Sequence, residues 1–250
     1  MLEHKNKHER DHKISFKDEG HIYTYDNKEN FTSVTTLIHN FFPKFDSDKI
    51  IDKMMKSKNW GNSKYYGMSK EEIKHLWNEN GRKASEAGTL MHASFEDFFN
   101  GQLNDEPSTL EFKQFKAYWN KFQKVNPSWF PYRTEWIVYD EVKKIAGSID
   151  MTFSNPQGEL IIVDWKRSKN IQTSNHWQKG FGPFSHLDDC NYNHYTLQLN
   201  IYRHILENHY NKKVLAMYLV VCHPNQIHAN VIQVHRKDQE ILNLWKYLPL

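Results

Sequence analysis

Apolar residues recur along this chain with two different periods, and the change of period divides it near residue 126. Ile14, Phe16, Ile22, Tyr23 and Tyr25 alternate around Asp18-Glu19-Gly20, which predicts a hairpin leading to a helix start within residues 31–38. Helices are predicted at about 46–57 and 69–100, the second opening with a Ser69/Glu72 capping box. A further Ser-x-x-Glu pair, Ser108 and Glu111, precedes Phe112, Phe115, Trp119 and Phe122, whose three-to-four spacing makes one apolar stripe. From Pro131 the pattern shortens to runs rich in Ile, Val and aromatic residues at 132–139, 144–153 and 160–166, a meander of strands. A long polar, glycine-containing loop over 167–192 comes next. It precedes a helix at 193–209, strands near 213–222 and 229–235, and a terminal helix from about 237. The predicted class is α/β: a restriction-endonuclease-like central mixed sheet flanked by helices, with a helical N-terminal portion. Residues 1–13 have no apolar period and are expected to form a disordered tail. Residues 14–250 are expected to form one domain, mainly helical over 14–125 and carrying the catalytic sheet over 126–250.

Composition narrows this picture a little. The net charge of +3 suits a nucleic-acid partner, but fifteen histidines counted as neutral make that balance a weak discriminator. Two cysteines exclude a four-thiolate metal or iron–sulfur site and favour a reducing, intracellular setting. No apolar run approaches the length of a membrane span and no signal-peptide pattern is visible, so a soluble protein is expected.

The candidate chemistry lies on the strands. Asp150 ends one run and Asp164 lies near the end of the next, so a hairpin sets the two carboxylates side by side. Lys166 shares the strand face of Asp164, with Trp165 on the other. Carboxylate oxygens on adjacent strands suit Mg²⁺ or Mn²⁺, and a neighbouring ammonium suits phosphodiester hydrolysis. From 30 acidic and 33 basic residues about four acid-x-base triplets are expected by chance. What distinguishes Asp164-Trp165-Lys166 is its place after the wholly apolar Leu160-Ile161-Ile162-Val163. On the long helix, His92 and Glu96 stand one turn apart on one face. Gln198 and Tyr202 do the same on a later helix, a spacing that equally describes an ordinary amphipathic helix packing through Leu197, Ile201 and Ile205. The 167–192 loop interleaves Arg167, Lys169 and Lys179 with Trp177, Phe181 and Phe184, either a single-strand binding surface or scattered loop aromatics. Bases including Arg82 outnumber the acids over 46–85, so a helical face there is a second candidate for phosphate contact.

In order, Gly88-Thr89-Leu90-Met91-His92, Gly147-Ser148-Ile149-Asp150, Asp164-Trp165-Lys166 and Gln198-Leu199-Asn200-Ile201-Tyr202 resemble four motifs of the RecB-like branch of the PD-(D/E)xK nucleases. Ser33-Val34-Thr35 resembles a further element of the mitochondrial genome-maintenance exonucleases, and Glu135 an additional acidic position of some members. The resemblance implies that His92, Asp150, Asp164 and the Trp165 carbonyl bind Mg²⁺ or Mn²⁺, that Lys166 is catalytic and that Glu96 supports the centre. It implies DNA contacts from Gln198 and Tyr202, and extends the candidates to Ser33 and Thr35. The absence of cysteine pairs sets the chain apart from CRISPR adaptation nucleases and favours a cluster-free exonuclease acting on single-stranded DNA. The alternatives are a structure-specific or restriction-type endonuclease and a nucleic-acid-binding module without catalysis.

Overall fold

A computed structural model describes residues 1–249, which fall into two compact units, residues 1–43 with 91–249 and residues 44–90. In chain order the helices are α1 (Leu2–Lys5), α2 (Val34–His39), α3 (Ser47–Met55), α4 (Lys70–Asn100), α5 (Leu110–Val125), α6 (Asn191–His209) and α7 (Asp238–Tyr247). The strands are β1 (Ile14–Lys17), β2 (Ile22–Tyr25), β3 (Glu29–Ser33), β4 (Phe130–Asp140), β5 (Ile145–Ser154), β6 (Leu160–Arg167), β7 (Val214–Cys222) and β8 (Asn230–Gln233). They form a mixed sheet in the order β1-β2-β3-β5-β6-β7-β8, with β4 also paired to β5. The β3–β5 and β6–β7 pairs are parallel and the others antiparallel, so the expected α/β class with a mixed sheet flanked by helices is observed. No helix among the described residues is long and apolar enough to cross a membrane.

The Leu160–Val163 run is apolar throughout because both faces of β6 are covered. Leu160 and Ile162 enter one core, shared with residues of α2, α6 and α7, while Ile161, Val163 and Trp165 enter the other with the aromatic face of α5 and the end of α4. That second core is built from rings: Phe95 stacks on Phe115 with centroids 4.1 Å apart, and Trp165 meets both edge-on. Period two then sends Asp164 and Lys166 to the α6 side.

The strands part where the chemistry lies. β5 and β6 pair from Ser154–Leu160 to Met151–Val163 and no further, and β3 joins β5 only at Ile145 and Ala146. Between these limits lies a fork holding Asp150 on one arm and Asp164 on the other. The main-chain N–H of Trp165 donates across it to Asp150 Oδ2 at 2.7 Å.

Two local expectations change. Residues 1–13 are placed in α1, a short 3₁₀ turn at Asp11–Lys13 and connecting chain, instead of a disordered tail. The contacts are polar and aromatic, so no apolar period announces them: Asn6 donates to the Tyr132 carbonyl at 2.7 Å, and the Arg10 guanidinium lies over the Tyr139 ring at 4.2 Å. The helix after residue 108 is capped by Thr109, which accepts from Phe112 N, while Glu111 is drawn away to Arg167. The Ser69/Glu72 capping box forms as expected, with Ser69 N donating to Glu72 at 2.7 Å and Glu72 N to Ser69 Oγ at 3.2 Å.

Candidate metal centre

His92 Nδ1 lies 3.5 Å from Asp150 Oδ2. One ligand atom each from His92, Glu135 and Asp150 falls within 4.8 Å of the others. α4 delivers the imidazole, β5 the aspartate and β4 the glutamate. Thr134 pairs with Met151 and Trp136 with Ile149, so Glu135 stands directly opposite Asp150. Glu135 has φ +43°, a left-handed conformation inside a strand that a non-glycine residue holds only when its surroundings enforce it. Ser148 donates to its carboxylate at 2.7 Å.

The three side chains are poor company for one another as ions in a site of this burial. Burial and the neighbouring Asp164 push Asp150 up to about 8, against the pull of Lys166 and the Trp165 N–H. Burial and Asp150 push Glu135 up to about 7. Burial and the Lys166 charge lower His92, which favours the neutral ring that can ligate. Two carboxylates disfavoured as anions beside a neutral imidazole form a donor set that fits a divalent cation, whose charge would return both acids to their ionised form.

Asp164 belongs to a second group. Its buried carboxylate holds the Lys166 ammonium, 3.0 Å from Oδ1 and 2.8 Å from Oδ2. Of the expected ligands, His92 and Asp150 fall in the convergent trio with Glu135, while Asp164 pairs with the ammonium two residues along β6. The Trp165 main chain lies at Asp150 and beside His92, with its indole in the aromatic core. Lys166 also donates to Gln198 Oε1 at 3.4 Å and lies 4.7 Å over the Tyr195 ring. Burial alone would lower the lysine, but Asp164 and Asp150 outweigh it and hold the ammonium above its ordinary value. Glu96 stands outside the trio near Thr134, 3.5 Å from its hydroxyl, and burial raises it.

Several of the residues expected at DNA make bonds within the protein. Gln198 and Tyr202 are buried, with the Gln198 amide donating to the Tyr202 hydroxyl at 3.2 Å. The Ser33 hydroxyl caps α2, accepting from Thr36 N at 3.1 Å, while Thr35 is exposed beside it. Arg167 pairs with buried Glu111 at 2.8 Å. Arg82 binds Glu79 and Glu86. Of the loop aromatics Phe184 is buried, whereas Trp177 and Phe181 are exposed together with Lys169. Sequence pattern missed the partnership of Glu135 with Asp150, the Ser148 bond and the Tyr195 ring; only the acidic residue on the preceding strand hinted at the first.

No known family profile and no curated protein matches the chain. Among solved structures, one from Eubacterium rectale named "Putative exonuclease" is 13% identical with a TM-score of 0.38, covering 64% of this chain and 62% of its own. A second, named SSO0001, is 17% identical with a TM-score of 0.28 over 52% of this chain and 53% of its own. The chain thus spans under two thirds of either structure's length, and neither likeness bears on function.

Proposed function

We propose that this chain is a metal-dependent nuclease of the PD-(D/E)xK type that hydrolyses DNA phosphodiester bonds, an exonuclease on single strands serving repair, recombination or replication. The observation that carries this reading is the convergence of His92, Glu135 and Asp150 beside a lysine that is itself held by Asp164, Gln198 and Tyr195. His92, Glu135 and Asp150 would hold the ion, Mg²⁺ or Mn²⁺, with the Trp165 carbonyl and Asp164 at its border. When bound, such an ion lowers the pKa of water and offsets charge on the reacting phosphate. Lys166 presents its ammonium on the same face of the fork, where it orients the attacking water and counters charge developing on the phosphate oxygens. The bond Lys166 makes to Gln198 fixes the direction of that ammonium, and the Tyr202 hydroxyl fixes Gln198 in turn. The preference for single strands is supported by exposed Trp177 and Phe181 with Lys169, since aromatic faces and cations are what unstacked bases and phosphates bind.

The test uses end-labelled single- and double-stranded DNA with Mg²⁺, Mn²⁺ or chelator. Metal-dependent release of short products from linear single strands, with bound but uncut closed circles, is expected. Cleaved circles would shift the reading to an endonuclease, and binding without cleavage under every metal would remove the catalytic claim. Asp150→Asn and Lys166→Ala should each abolish cleavage in a folded protein.

A further inference from the structure

Glu135 stands opposite Asp150 with a left-handed backbone, and the residues on either side of it are tied to one carboxylate from outside the sheet. Asp11 Oδ2 accepts from Arg133 at 2.7 Å, and Asp11 Oδ1 accepts from the Trp136 indole N–H at 3.1 Å. In an unbroken strand the side chains of residues 133 and 136 leave from opposite faces. Here both reach the same group, and between them lies φ +43° at Glu135. Arg133 and Trp136 are both buried, so neither has water as an alternative partner. The Asp11 carboxylate is fixed from its own side by the His8 N–H at 2.9 Å, and the segment is held to β4 by Asn6, whose carbonyl accepts from Arg133 at 3.0 Å.

We infer that Asp11 is a positioning residue for the metal centre: it clamps Arg133 and Trp136 and thereby holds Glu135 in the conformation that faces Asp150 and His92. The inference rests on the proposed role of Glu135 as a ligand. Without the clamp the strand is free to relax toward extended backbone at residue 135, which turns the carboxylate away from the direction it now holds toward Asp150 and His92. Partners outside the ligand set that orient a ligand typically change metal affinity 10- to 100-fold when removed.

The experiment measures Mn²⁺ affinity by calorimetry for the wild type, Asp11→Ala, Trp136→Phe, Glu135→Gln and the Asp11→Ala/Glu135→Gln double variant, each checked for folding by circular dichroism. Asp11→Ala should weaken Mn²⁺ binding roughly 10- to 100-fold. Trp136→Phe, which keeps the ring and removes one tie, should weaken it less. In the Glu135→Gln background the loss of Asp11 should add nothing, since the effect passes through Glu135. If Asp11→Ala fails to fold, Trp136→Phe carries the test. Wild-type affinity in folded Asp11→Ala or, in its place, Trp136→Phe, or a full additional loss in the double variant, overturns the positioning role. A wild type that binds no Mn²⁺ overturns the metal centre itself and is thereby told apart.

Discussion

A β-carbon added to Gly147 would stand 2.7 Å from Cε1 of Tyr202 and 2.9 Å from its hydroxyl oxygen. Tyr202 is buried and its hydroxyl orders Gln198, which in turn holds Lys166, so the glycine is the floor of a relay that ends at the ammonium. Gly147→Ala must push the ring aside and should cost about 1–3 kcal/mol of stability, the usual price of overpacking. It should also slow cleavage more than tenfold if the relay aims Lys166. Tyr202→Phe removes only the hydroxyl and should slow cleavage several-fold with unchanged DNA affinity, because the ring is buried. Thermal melts and single-turnover rates separate these effects, and weakened DNA binding by folded Tyr202→Phe would return the residue to the substrate surface.

Asp140 supplies a pH test away from the centre. Its carboxylate accepts from Val142 N and Lys143 N at 2.9 Å each, from the Trp245 indole at 2.9 Å and from His209 at 3.0 Å. Burial alone would raise it, but the bonds from His209, the Lys143 main chain and Trp245 outweigh burial and hold it far below the usual carboxylate range. The folded value is therefore depressed, so its stabilisation is fully present above the ordinary value of about 4 and drains away as pH falls below it. Asp140→Asn should cost about 3 kcal/mol at pH 7 by leaving donors imperfectly matched, and the gap to wild type should narrow between pH 4 and pH 2.5. Urea titrations across that range check the sign; a gap that widened on acidification would contradict it.

The parts of the fold that follow from local pattern were legible in the sequence, and those that depend on distant polar partners were not. Leu160–Val163 announced a strand covered on both faces, and period two put Asp164 and Lys166 together on one of them. The same Ser-x-x-Glu pattern proved a capping box at Ser69 and not at Ser108, because a partner 56 positions away, Arg167, takes Glu111. The spacing of Gln198 and Tyr202 leaves a functional face and an ordinary amphipathic helix equally open, whereas α6 is buried on nearly every side over residues 196–203 and its polar groups bond to one another and to neighbouring segments. Glu135 is marked only by the resemblance, since spacing carries no sign of a left-handed residue in mid-strand.

Arg167 distinguishes a structural cation from a phosphate contact. Its guanidinium, at the end of β6, pairs at 2.8 Å with buried Glu111 in the first turn of α5. Glu111→Gln or Arg167→Ala leaves one buried charge without its partner and should lower stability by about 3 kcal/mol. DNA affinity and its salt dependence should hardly change, because an arginine held by a buried acid releases no counterions on binding. Fluorescence anisotropy at several salt concentrations, beside thermal melts, reads both; a salt slope reduced by about one in a still-folded Arg167→Ala would restore the phosphate role.

Trp177 is the sharpest probe of the proposed single-strand surface. It is 91% exposed, so it contributes little to the core. The loop that carries it is nevertheless well tied: Trp177 N donates to Asn175 Oδ1 at 3.0 Å, Asn175 N to Asp188 at 3.0 Å and Asn175 Nδ2 to the Asp189 carbonyl at 2.7 Å. An indole presented to water on an ordered support loses little freedom when a base stacks on it, which is the arrangement that makes aromatic contact effective. Trp177→Ala should leave the melting temperature unchanged and weaken single-stranded DNA binding by about 1–3 kcal/mol, roughly fivefold to 150-fold. Duplex binding should change far less, since paired bases present no free face. Tryptophan fluorescence should also fall on titration with oligothymidine in the wild type. Equal affinity of wild type and Trp177→Ala for single strands would leave this loop outside the nucleic-acid path and remove the main support for a single-strand preference, without touching the metal centre.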